Sequence, residues 1–167
     1  IWGIRHDITG QKQAEEALRN LATRFSALSS SELLEQVSRH LTEALDLDYA
    51  FIGELTPDGQ SVRVLAGVGR GEPLDPFEYD LTGTPCENVM GQGMCDYPSG
   101  VQELFPRDSL LIEMDIEGYM GTPLLNRAGE PLGIMVLLDG KPIANQDAAE
   151  SLFGIFADRI SAEMERM

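Results

Sequence analysis

Two helical stripes bracket this chain, with two hairpin patterns between them, and that arrangement limits the folds open to it more than any other feature. Ala14, Leu18, Leu21, Phe25 and Leu28 follow one another at intervals of 4, 3, 4 and 3, and Phe153, Ala157, Ile160, Met164 and Met167 repeat the spacing near the other end. Such intervals set five side chains on one stripe of a helix. Around the first stripe Gln11, Lys12, Gln13, Glu15, Glu16, Arg19 and Asn20 are polar. A stripe that narrow suits a two-stranded coiled coil, and a helix docked on its own domain is the alternative. The candidate residues for a helix-mediated dimer are Leu18, Leu21, Phe25, Leu28, Phe153, Ile160 and Met164.

Between the stripes the period changes. Ser29 and Glu32 have capping-box spacing, which predicts a second helix from about residue 30. Leu33, Leu34, Val37, Leu41, Ala44 and Leu45 give it a broad apolar face, and Asp46 closes it. Tyr49–Leu55 reads as a strand, Pro57-Asp58-Gly59 as a turn and Ser61–Ala66 as the returning strand. Glu117–Leu125, the turn Asn126–Gly129 and Pro131–Leu138 form a second hairpin, and a last helix runs from a cap at Asn145 to Met167. Residues 67–116 carry Gly67, Gly69, Gly71 and Gly83, several prolines and both cysteines, and read as long loops with short helices near Pro85–Met90 and Asp108–Met114. A mixed stretch of that length beside a sheet lines a ligand site or covers a core edge.

The 167 residues suit one domain with a short flank. Against 28 acidic residues stand 12 basic ones, a net charge of −16. Residues 1–30 contribute +1, since four basic residues (Arg5, Lys12, Arg19, Arg24) face three acidic ones (Asp7, Glu15, Glu16), so the rest carries −17. Such a surface repels phosphate backbones and anionic lipid heads, so neither nucleic-acid binding nor direct membrane contact is expected. The longest apolar run is Ile134–Leu138, far short of the roughly 20 residues a membrane span needs. Beginning at Ile1 within a strand pattern and stopping at Met167 in a helical one, the sequence reads as a piece of a longer cytoplasmic polypeptide.

Cys86 and Cys95 lie nine residues apart, and His6 and His40 fall elsewhere, a spacing that builds no four-ligand zinc site. The thiols are read either as reduced side chains under a loop or as a redox or ligand-contact pair. No Ser/His/Asp set, phosphate loop or pair of catalytic carboxylates emerges, so no catalytic residue and no metal site is assigned. The candidate pocket residues are Tyr79, Cys86, Cys95, Tyr97, Phe105, Leu111 and Tyr119, whose aromatic walls and few polar tips suit a small, partly apolar molecule. Side chains that simply fill the core are the alternative.

The succession of elements resembles a GAF domain over residues 30–167. Leu45–Gly53 is similar to the family's first strand, and Thr84-Pro85-Cys86-Glu87-Asn88-Val89, Gly91-Gln92-Gly93, Cys95-Asp96-Tyr97-Pro98 and Val101–Pro106 resemble a bacterial subgroup found beside kinase and cyclase modules. Gly118–Leu124 and Pro131–Ile134 resemble the paired strands before the last helix. Gly3–Leu18 is similar to the exit of a PAS domain, its last strand followed by Asp7-Ile8-Thr9 and a connecting helix. The resemblance implies an α/β (α+β) fold, with a central antiparallel sheet of five or six strands, flanking helices, and N- and C-terminal helices forming a bundle. Residues 1–9 would be the PAS strand, 10–29 the connecting helix and 30–167 the GAF domain.

The same resemblance implies a non-catalytic sensory domain in a homodimer, with a possible small-molecule ligand, no assigned cofactor and an output domain such as a histidine kinase or diguanylate cyclase. Covalent bilin is not expected, because Glu87 and Asp96 follow the cysteines where bilin-binding GAF domains commonly carry histidine. The Asn-Lys-Phe-Asp-Glu signature of cyclic-nucleotide binders is missing, and Arg63, Arg70 and Arg107 are the only nearby charges for a phosphate. Two alternatives remain: a ligand-free dimerisation module, and a thiol redox switch or methionine-sulfoxide-reductase-like enzyme using Cys86 and Cys95.

Overall fold

The structure, a computed structural model, describes residues 29–144 and 146–167. The expected PAS strand and connecting helix, with Leu18, Leu21, Phe25 and Leu28, lie outside the described residues, as does Asn145.

Helix α1 (Ser30–Leu45) starts where its cap predicts. The Ser29 hydroxyl accepts from the Glu32 N–H at 3.3 Å and lies 3.1 Å from the Glu32 carboxylate. Asp46 ends it in the left-handed region at φ 54°, its N–H returning to the Thr42 carbonyl. Strands β1 (Tyr49–Leu55) and β2 (Ser61–Gly69) form the first hairpin. Along the outer edge of β2 lie β3 (Glu72–Pro73) and β4 (Glu78–Asp80), followed in the chain by helix α2 (Pro85–Gln92) and strand β5 (Cys95–Tyr97). Two short helices, α3 (Val101–Leu104) and α4 (Ser109–Glu113), lead into β6 (Gly118–Leu125) and β7 (Pro131–Asp139), and α5 (Gln146–Arg166) closes the order.

All strand pairs are antiparallel, in the order β3-β2-β1-β7-β6-β5 with β4 also on β2. The sheet therefore has seven strands against the five or six expected. The two hairpins supply four of the seven, and β3, β4 and β5 add the rest, each with two or three residues, too few to show a period. At the centre β1 and β7 approach so closely that a Cβ on Gly133 would collide with the Gly53 carbonyl, which is why no side chain is tolerated there.

Strand alternation divides the core in two. Ala50, Ile52, Met120, Met135 and Leu137 face α1 and α5, meeting Leu34, Leu41, Phe153, Phe156 and Ile160. Phe51, Tyr119, Ile134, Val136 and Leu138 face the opposite way, under the segment that holds α2, α3 and α4. This placement corrects the assignment of Phe153 and Ile160 to a dimer seam. Both are fully buried in the domain's own core, and the half-buried Met164 packs against the same cluster, so Phe153 and Ile160 record docking on the sheet and α1. Among the described residues no helix is long and apolar enough to cross a membrane.

Candidate functional site

On the second face of the sheet, the first turn of α2 drives Cys86 inward. Pro85 starts that helix, where a missing N–H costs nothing. Thr84 precedes it in extended conformation and gives its hydroxyl to the Leu81 carbonyl at 2.7 Å. Cys86 is thereby set between two phenols: its sulfur lies 3.2 Å from the Tyr79 hydroxyl and 3.1 Å from the Tyr119 hydroxyl. Tyr119 comes from β6 and is fully buried. Gly121, two residues along the same strand face, makes room for it, because a Cβ there would stand 2.5 Å from the Tyr119 hydroxyl. Tyr79 comes from β4, whose short pairing with β2 sets Tyr79 opposite Val62.

Burial dominates the electrostatics of this triad. The Cys86 thiol is pushed up to about 11 by desolvation, although hydrogen bonds from Tyr119 and then Tyr79 favour the thiolate. Both phenols are held well above their ordinary range, first by burial and then by the neighbouring sulfur. All three groups are therefore protonated at neutral pH. A thiol is a weak partner for a phenol, so two buried hydroxyls are satisfied only weakly.

Beside the triad is a cavity of about 30 Å³, room for a water molecule or two. Phe51 and Phe77 wall it together with Tyr79, their ring centroids 6.0 to 6.1 Å apart. Leu110, Leu111 and Met114 of the α4 region roof it, and Val136 and Leu138 of β7 form its floor. Asp108 caps α4 by accepting from the Leu110 N–H at 3.1 Å, and it also faces the cavity. Burial raises its carboxyl above the ordinary carboxylate value.

Four of the seven pocket residues expected from sequence, Tyr79, Cys86, Leu111 and Tyr119, meet at this cavity. Tyr97 and Phe105 do not line it. They stack edge to face at 5.1 Å in the next aromatic layer, where Tyr97 lies 6.0 Å from Tyr119 and its hydroxyl accepts from the Asn88 amide at 3.0 Å. Cys95 also stands outside it, its sulfur 3.4 Å from the Gly93 carbonyl. Both cysteines are free and buried. The sequence reading missed Phe51, Phe77 and Asp108. Asp108 had a legible signal as a helix cap, whereas Phe51 and Phe77 become wall residues only through strand pairing. Arg63 is engaged by Glu54 and Glu78 at 3.3 and 3.7 Å, and Arg70 lies 5.8 Å above the Tyr49 ring. Among the described residues no group of three or more His, Cys, Asp or Glu could hold a metal ion.

A second and larger hollow, about 970 Å³, runs along the outer face of α5. Gly154, Asp158, Ser161, Ala162 and Glu165 line it from α5, opposite Thr122 and Leu125 of β6.

Comparison with solved structures finds the same architecture repeatedly. The GAF domain from Acinetobacter phosphoenolpyruvate-protein phosphotransferase superposes with a TM-score of 0.71 at 15% identity, over 96% of this chain and 94% of that one. A far-red cyanobacteriochrome photoreceptor gives 0.67 at 16% identity, over 93% and 97%. The chromophore-binding domain of Stigmatella aurantiaca bacteriophytochrome gives 0.71 at 13% identity, over 97% of this chain and 60% of that one. At such identities the likeness is one of fold. A comparison with curated proteins returned no match. The GAF domain family model matches residues 29–164, spanning α1, the whole sheet and most of α5, and the chain therefore belongs to the GAF domain family.

Proposed function

We propose that this GAF domain is a sensory and regulatory module of a cytoplasmic bacterial signalling protein. In this reading a small molecule occupies the site at Cys86, Tyr79 and Tyr119 and changes the packing of the helices that lead to an output domain, a histidine kinase or a diguanylate cyclase. The observation that carries the reading is the triad itself: a buried phenol, Tyr119, and a half-buried one, Tyr79, converge on a protonated thiol beside an aromatic-walled void, leaving polar capacity that an apolar core has no use for. Tyr119 is followed on β6 by Met120, which faces the opposite way into the core shared by α1 and α5. A displacement of Tyr119 thus has a short route across the sheet.

The module acts as a homodimer through its terminal helices. With Phe153, Ile160 and Met164 committed to the core, the face of α5 available to a second copy is that of Gly154, Asp158, Ser161, Ala162 and Glu165, whose small residues permit close approach. The size of the cavity favours a second reading, a ligand-free dimerisation module with a filled core. The thiol-switch reading gains least, since a buried thiol with a pKa of about 11 is a poor nucleophile. Native mass spectrometry beside denatured mass, with and without reductant, tests these readings. A dimer carrying mass that leaves on denaturation supports the sensory reading. A dimer without extra mass, unaffected by any small molecule, supports the filled core, and reductant-sensitive mass supports the thiol switch.

A further inference from the structure

The triad and its walls also restrict the chemistry of the ligand, an inference that rests on the sensory reading above. Tyr79, Cys86 and Tyr119 each carry one exchangeable proton, and each contact in the chain Tyr79–Cys86–Tyr119 uses one of them. Two contacts spend two of the three protons, leaving one for an acceptor brought from outside. The walls are rings, which suit a flat apolar body. Among the described residues no lysine, arginine or histidine lines the cavity, and its one ionisable carboxyl, Asp108, opposes a second negative charge. An anion would be desolvated there without a counter-charge.

The void of about 30 Å³ is about tenfold smaller than the roughly 300 Å³ at the lower end of ligand pockets, so a side chain must withdraw. Leu111 occupies that position, at 3% exposure in the roof. The segment that bears it begins at Gly100 (φ +68°) and ends at Asp115 (φ +53°), both left-handed. Its outer side chains are not packed, with Leu104 58% and Ile112 56% exposed.

We propose that the site takes an uncharged, flat heteroaromatic molecule that presents a carbonyl or ring-nitrogen acceptor to the Tyr79–Cys86–Tyr119 triad, and that Leu111 is the side chain it displaces. Three bicyclic probes of one shape test this: quinoline as acceptor, naphthalene without polar atoms and 2-naphthoate as anion. Binding is measured by calorimetry at neutral pH to the wild-type protein, Leu111→Ala, the milder Leu111→Val and Tyr119→Phe. Trimming Leu111 opens the space and tightens binding. Quinoline binds more strongly than naphthalene by roughly two- to tenfold, the worth of one neutral hydrogen bond, and 2-naphthoate is the weakest of the three. Tyr119→Phe narrows the preference for quinoline over naphthalene. If 2-naphthoate equals or exceeds quinoline, the ligand class is wrong while the pocket stands. If no probe binds a folded wild-type protein or a folded Leu111 variant, the pocket and the sensory reading built on it both fall.

Discussion

The reactivity of Cys86 separates a ligand-contact thiol from a redox or catalytic one. Its pKa of about 11 compares with an ordinary value of 9.0. At pH 8 that leaves about one molecule in a thousand as thiolate, against about one in ten for an unfolded thiol, a hundredfold difference before access is considered. Access adds to the protection, because Cys86 is 3% exposed and sealed by Tyr79 and Tyr119, so an alkylating reagent needs a local opening first. Iodoacetamide labelling followed by peptide mass spectrometry should therefore show Cys86 reacting at least about a hundredfold more slowly than free cysteine at pH 8. Its rate should keep rising about tenfold per pH unit beyond 9.0, for as long as the domain remains folded by circular dichroism. Tyr119→Phe removes a hydrogen bond that favours the thiolate and should raise the Cys86 pKa further. Labelling of Cys86 in the folded protein at a rate within tenfold of free cysteine, levelling off near pH 9, would refute this account and restore the thiol-switch reading.

Other consequences are open to measurement. Ile160→Ala should cost about 2–5 kcal/mol in urea unfolding and leave the oligomeric state by light scattering unchanged; dissociation without loss of stability would return Ile160 to a dimer seam. Gly121→Ala should push the Tyr119 ring off Cys86, seen as a changed tyrosine environment in near-ultraviolet circular dichroism, and an unchanged spectrum would contradict the close approach. Glu163 is held below its ordinary value of 4.5, first by the Ser30 hydroxyl at 2.7 Å and then by Arg166. A lowered carboxylate pKa contributes stability that is present above 4.5 and lost as pH falls through the folded value. Glu163→Gln should thus cost about 1–3 kcal/mol at pH 7, a deficit that shrinks below 4.5; an equal deficit at pH 3 and pH 7 would show that the Ser30–Arg166 environment is not its source.

The sequence determined what depends on near neighbours along the chain. Ser29 and Glu32 set the start of α1, Asp46 its end, Pro57-Asp58-Gly59 and Asn126–Gly129 the hairpin turns, and Pro85 the first turn of α2, because caps and tight turns are satisfied by groups a few residues apart. The unbroken apolar run Ile134–Leu138 told that β7 is buried on both faces without telling what covers each. Only the tertiary structure decided that. A 4-3 spacing on α5 is the same whether the helix packs on a sheet or on a second helix, and the burial of Phe153 and Ile160 settles it for the sheet. The site is assembled from even greater separations, since Phe51, Tyr79, Cys86, Leu111 and Tyr119 come from β1, β4, α2, α4 and β6. Their residue types marked an aromatic, weakly polar pocket. Which rings became walls, which phenols reached the sulfur and how little space remained were fixed by strand register and by the absence of a side chain at Gly121, relations between distant residues that no local pattern records.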